Sequence, residues 1–221
     1  MSTKIINYIN NNHQLFDDFL VKQSDLDDHR FPYTKCPAFG HKRDRVFVGI
    51  SPIDFEFNID RSQKIISCTD SNLVDDLHQD FLNSPQPVIQ FKFPRFTFWT
   101  QDDNVWLEMN DHPMTSLDNN LIMVPGWFNL SNWSRNCSMA FTIVDELKPV
   151  LIKKGDPLFR ISFHSSNPDD NIVLKKETNT EVINQWVEVG AHSKLTEQDW
   201  KPRLFSKTKT ETRCPFSFLF K

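Results

Sequence analysis

Glycine is scarce in this chain of 221 residues, with only 5 present. That leaves little material for glycine-rich phosphate loops, and neither a P-loop nor a Gly-x-Ser-x-Gly nucleophile elbow occurs. The four cysteines (Cys36, Cys68, Cys137, Cys214) lack close paired spacing, so neither a disulfide framework nor a zinc knuckle is indicated. No apolar window approaches a membrane-spanning length, and the N-terminal "MSTKIINYINNNHQLF" has no apolar signal core. The expectation is therefore a cytoplasmic protein with no membrane contact. The glycosylation-type triplets at Asn129, Asn132 and Asn136 are then chance matches. Basic runs are absent too, and the formal net charge is −4, which argues against phosphate-driven nucleic-acid binding. The densest basic stretch (Lys201, Arg203, Lys207, Lys209, Arg213) reads as a solvated tail.

What is abundant is phenylalanine, 20 residues of it, together with 13 prolines. That combination favours many short strands separated by loops. Residues 4–22 carry Ile5, Ile6, Ile9, Leu15, Phe16 and Phe19 at near-helical spacing, which predicts an N-terminal helix. "RVFVGI" and "IDFEF" read as strands, with Ile53, Phe55 and Phe57 on one face and "QKIISC" as hairpin partner. "DSNLVDDLHQDFLNSP" reads as a helix capped by Asp70 or Ser71 and stopped by Pro85. In "VIQFKFPRFTFWT" the alternation runs through Ile89, Phe91 and Phe93, then slips to Phe96 and Phe98. A period-two pattern cannot slip without changing faces, so a bulge or break is expected at Pro94.

Further strands are expected at "VWLEM", with Val105, Leu107 and Met109 inward, and at "LIMV", "MAFTIV", "PVLI" and "LFRISF". "VINQWVEV" alternates on Ile183, Val187 and Val189, and "LTEQDW" reads as a short capped helix. The expected fold is mainly β: an antiparallel β-sandwich or jelly-roll-like barrel with an N-terminal helix and one or two short helices. Residues 1–30 form the helical segment and residues 31–221 a single β-rich domain. Between "PVLI" and "LFRISF", Lys153-Lys154-Gly155-Asp156 reads as a hairpin turn. Gly155 supplies the turn conformation and Pro157 opens the next strand. Phe159, Ile161 and Phe163 then face the core, and Leu158, Arg160 and Ser162 face away.

Three groups of motifs together resemble a known family. They are "KCPAF" with "VFVGISPIDFEF"; "MVPGWFNLSNWSRN" with "AFTIV" and "IKKGDPLFRISF"; and the C-terminal "RCPFSFLFK". Over roughly residues 30–221 this order is similar to proteins of large, often marine, tailed bacteriophages, a family with no assigned activity to transfer. The resemblance implies a phage protein acting in the host bacterial cytoplasm or carried in the virion.

"IKKGDPLFRI" resembles the Gly-Asp turn of cupins, but those sites need several inward histidines, and no His-x-His pair exists among His13, His29, His41, His78, His112, His164 and His192. His78-Gln79-Asp80 with Arg160-Ile161-Ser162 resembles the ligand motifs of 2-oxoglutarate oxygenases. In the expected helix, however, His78 and Asp80 point about 200° apart. Only His112 or His164 could then complete a triad. Lys-Gly-Asp at 154–156 resembles a turn of dUTPases, without their other nucleotide-binding motifs. No catalytic residue, metal ligand or cofactor is assigned on these grounds.

The richest surface candidate is "PGWFNLSNWSRN". There Trp127, Asn129, Asn132, Trp133 and Arg135 offer aromatics, amides and a cation of the kind on which partners stack. The alternative is that Trp127, Phe128 and Trp133 plug one end of the core. Arg160, mid-strand among apolar residues, joins the candidate set; if buried it needs a carboxylate, with Glu108 or Asp145 available. The expected function is non-catalytic binding of a viral or host protein partner, with self-association open. The alternatives are a jelly-roll enzyme dependent on metal or nucleotide, and a carbohydrate or small-ligand module using the Trp127–Arg135 loop.

Overall fold

Alternating large apolar residues make strands here far more often than helices. The computed structural model describes residues 2–10, 20–26, 35–38, 43–60, 65–68, 77–78, 88–112, 119–131 and 135–185. Its strands are β1 (Thr3–Asn10), β2 (Leu20–Lys22), β3 (Val46–Ile50), β4 (Phe55–Asp60), β5 (Ile65–Cys68), β6 (Leu77–His78) and β7 (Val88–Trp99). They continue as β8 (Val105–Asp111), β9 (Leu121–Met123), β10 (Gly126–Asn129), β11 (Arg135–Ile143), β12 (Val150–Ile152), β13 (Pro157–Ser165) and β14 (Asn171–Lys176). Helix is confined, among the described residues, to short pieces such as α1 (Gln23–Leu26) and residues 180–185.

The strands form three sheets, antiparallel except for one parallel pair, β1 with β14. A six-stranded sheet runs β14-β1-β7-β11-β9, with β6 also on β7. A five-stranded sheet runs β10-β8-β13-β3-β2, and a three-stranded sheet runs β12-β4-β5. Phenylalanine rings join the three. Phe98 of the six-stranded sheet meets Phe163 of the five-stranded one edge-on, 5.8 Å between ring centres. Phe91 meets Phe55 of the three-stranded sheet at 5.5 Å. Phe57, Phe96, Phe98, Phe141, Phe159 and Phe163 are all essentially inaccessible to solvent. Burying each such ring contributes on the order of 2–3 kcal/mol, and every phenylalanine whose side chain is described lies in the core.

Several sequence expectations hold. The alternation in β4 buries Phe55 and Phe57, and β5 is its antiparallel hairpin partner. β7 carries the bulge its phase slip requires: Phe91 faces Met139 and Phe96 faces Cys137, so residues 92–95, with Pro94 among them, oppose a single residue of β11. That extra length returns Phe96 and Phe98 to the buried set alongside Ile89 and Phe91.

Others are corrected. The expected helix over residues 4–22 is strand at both described ends, β1 and β2. In β1, Ile6 and Ile9 point to opposite faces, yet both are fully buried. Burial on both faces imitates helical spacing. The rest, residues 11–19, lies outside the described residues. The expected helix near Leu77 is the short strand β6, with Leu77 opposite Phe91; most of that segment is likewise outside the description. "VINQWVEV" begins as helix, not strand: the Asn179 side chain accepts the N–H of Glu181 at 3.0 Å, an N-cap that the alternation concealed. The Ile183–Val187 spacing of four suits a helix equally, though residue 187 is not described. "LTEQDW" and the basic tail also lie outside the described residues.

The Lys153–Asp156 turn is not a hairpin. β12 pairs with β4 in the three-stranded sheet, whereas β13 pairs with β3 and β8 in the five-stranded one. The turn is a corner between sheets, and it sits on a second corner, residues 51–54, where β3 passes into β4. Ser51 N–H donates to the Asp156 carbonyl at 2.8 Å, and Gly155 N–H donates to the Ser51 carbonyl at 2.7 Å. Lys154 N–H reaches the Asp54 carboxylate at 2.6 Å, and Lys153 N–H that of Asp156 at 2.8 Å. Gly155 has φ of +91°, as the turn reading expected of a glycine. Two residues before the second corner, Gly49 lies under the ring of its cross-strand neighbour Phe159; a Cβ there would stand 2.1 Å from a ring carbon.

The parallel pairing of β1 with β14 is tied at its start. Ser2 donates its hydroxyl (2.8 Å) and its N–H (3.0 Å) to the Asp170 carboxylate. These two bonds, the hydroxyl first, outweigh burial and hold the Asp170 carboxyl below its ordinary range. Its stabilisation is therefore complete above the unfolded value, near pH 4, and is lost as pH falls through the lower folded value. Asp170→Asn should lower the melting temperature at neutral pH. That deficit should narrow steadily below about pH 4, where the native carboxyl also becomes neutral. Melting curves across pH measure both effects.

Candidate binding face of the five-stranded sheet

The alternation that sends Val105 and Leu107 of β8 into the core turns Trp106, Glu108 and Asn110 to the opposite face. Strand register brings neighbours beside them. Asn129, Trp106 and His164 make one cross-strand row; Trp127, Glu108 and Ser162 the next; Asn110, Arg160 and Val48 the third. One sheet face thus gathers two tryptophans, a histidine, a glutamate, an arginine and two asparagines.

Trp127 is 65% exposed, the most exposed aromatic among the described residues. It leans on half-buried Trp106, ring centres 5.0 Å apart and planes inclined by 46°. Such a contact limits the motion of the exposed indole and pre-organises it. Phe128, the next residue, points the other way and is buried. The core-plug alternative therefore applies to Phe128 and not to Trp127.

Glu108 and His164 form a contact of 2.7 Å between Oε2 and Nε2, with both side chains more than a third exposed. An exposed pair of this kind adds at most about 1 kcal/mol to stability, so it shapes the face more than it holds the fold. Arg160 is half-buried and donates Nε–H to the Asp111 carbonyl at 3.0 Å. Neither carboxylate expected for it is its partner. Glu108 turns to His164, and Asp145 belongs to a distant turn, where it pairs with Lys148 at 3.1 Å and accepts the Leu147 N–H.

The expected loop cluster is divided by the fold. Trp127, Asn129 and Arg160 share the face just described. Asn129 is buried, and its side chain accepts the Ser131 N–H at 3.0 Å, which makes it a turn-former. Arg135 opens β11 in the other large sheet, opposite Phe98. Asn132 and Trp133 lie outside the described residues. The outward set of β13 is also less open than expected, since Leu158 and Ser162 are buried.

Trp106, Glu108 and Asn110 do not stand out as site residues in the sequence, where His164 suggests only a metal ligand. The alternation in "VWLEM" was the available signal for the first two. Pairing them with residue 164 required a register between segments more than fifty residues apart in sequence.

Among the described residues, no three His, Cys, Asp or Glu side chains converge as a metal site would require. The helical ground for separating His78 from Asp80 does not survive, because His78 is in strand β6; Asp80 lies outside the described residues.

No family model and no curated protein matches the chain. Among solved structures, the native dUTPase of EIAV is similar over 73% of this chain and 91% of its own, at 9% identity and a TM-score of 0.38. A likeness at that level carries no argument about fold or activity.

Exposure makes opposite demands on adjacent residues here. Trp127→Ala should cost no more than about 1.5 kcal/mol, the scale of its ring contact with Trp106, whereas Phe128→Ala should cost about 3–5 kcal/mol. Urea denaturation of the two variants measures the contrast.

Proposed function

We propose that this protein is a non-catalytic binding protein, a β-sandwich of jelly-roll character that engages a protein partner through the outer face of its five-stranded sheet. The observation that carries this reading is Trp127, exposed on a regular strand and braced from below by Trp106. Beyond its contact with Trp106, the exposed part of this indole adds little to the stability of the free protein. Rigid aromatic anchors of this type, flanked by Arg and by polar groups that exclude water around them, concentrate the energy of protein interfaces. The neighbouring Glu108–His164 pair and Arg160 provide that polar surround.

The motif resemblance supports a phage origin, and with it a place in the host cytoplasm or the virion and a viral or host partner. Self-association is one form such a partner could take. The carbohydrate reading is less well supported, because the two indoles meet at 46° and do not form a flat platform.

Site-specific crosslinking tests the proposal. A photoreactive residue in place of Trp127 should yield one discrete crosslinked protein in the producing cells. The same residue in place of Leu151, exposed on the three-stranded sheet, should yield none. Equal labelling from both positions, or none from residue 127, would contradict it.

A further inference from the structure

The partner's chemistry can be read from Arg160, given the binding reading above, on which this inference rests. Glu108 stands opposite Ser162, with His164 and Arg160 as its two diagonal neighbours on β13. It reaches His164, at 2.7 Å. Among the described residues the Arg160 guanidinium makes one hydrogen bond, from Nε to a backbone carbonyl, and pairs with no carboxylate. A half-buried guanidinium is partly stripped of water, and its remaining N–H groups form a planar fork that matches a carboxylate.

We infer that the partner presents a carboxylate, from an Asp or Glu side chain or a chain terminus, to Arg160, beside an apolar or aromatic group that packs on Trp127. Charge complementarity selects this occupant. A single negative charge satisfies Arg160, while Glu108 on the adjacent strand disfavours a doubly charged phosphate in the same place. The row spacing of the sheet sets the geometry. Trp127 and Arg160 lie two strands apart and in adjacent rows, a separation of roughly 12 Å, which an extended peptide of a few residues spans.

The test is selection of random displayed peptides on the full-length protein, with Trp127→Ala as the counter-selection. Peptides that depend on Trp127 should share an acidic residue or a required free carboxyl terminus. Arg160→Gln should weaken their binding by about tenfold or more, as should Asp→Asn or Glu→Gln in the peptide itself. Arg160→Lys, which keeps the charge and loses the fork, should recover only part of the affinity. Trp127-dependent peptides that lack a carboxylate, or that bind Arg160→Gln unchanged, would overturn this inference and leave the Trp127 reading standing. Absence of any Trp127-dependent peptide would overturn both.

Discussion

Two backbone hydrogen bonds, Ser51 N–H to the Asp156 carbonyl and Gly155 N–H to the Ser51 carbonyl, join the places where the chain changes sheets. On one side β3 leaves the five-stranded sheet and becomes β4 of the three-stranded one. On the other β12 leaves the three-stranded sheet and becomes β13 of the five-stranded one. Because β3 pairs with β13 and β4 with β12, the two corners must turn at the same point, or one of the pairings loses register. The positive φ of Gly155 meets the geometry this turn demands. Next to the corner, Gly49 gives up its side chain so that Phe159 can lie across it, seating the start of β13 against β3. A one-residue slip of β13 would send Phe159, Ile161 and Phe163 outward and turn Arg160 and His164 into the core. The corner thus sets the candidate face as well as the core.

Much of this was legible in the sequence wherever a strand has one buried face. β4, β8 and the inward set of β13 follow simple alternation, and the phase slip at Pro94 located a bulge whose partner strand could not be named. Legibility failed where burial is two-sided or capping is local. Ile6 and Ile9, buried on opposite faces of β1, look helical when read along one line. Asn179 caps a helical turn inside a segment whose apolar residues also alternate. The corner looks like a hairpin in sequence because Lys153–Asp156 has every local turn signal, and sheet membership depends on partners about a hundred residues away in sequence.

The candidate site was half legible for the same reason. Trp127 and Arg160 stood out as single residues that a core would not readily accept. Their grouping on one face, and the diversion of Glu108 from Arg160 to His164, are products of β8–β13 register. Arg135 is close to Trp127 in sequence yet opens a strand of a different sheet. Proximity along the chain was a poor guide, and strand pairing was the better one.

Native-state amide hydrogen exchange at Ser51 and Gly155, resolved by NMR, tests the corner most directly. If the crossed pair holds the sheets in register, both amides should be protected to the level of the core amides of Phe159 and Ile161. Exchange at the rate of an open loop, with the strands on either side still protected, would show that the sheets keep their register without the corner and would contradict the account.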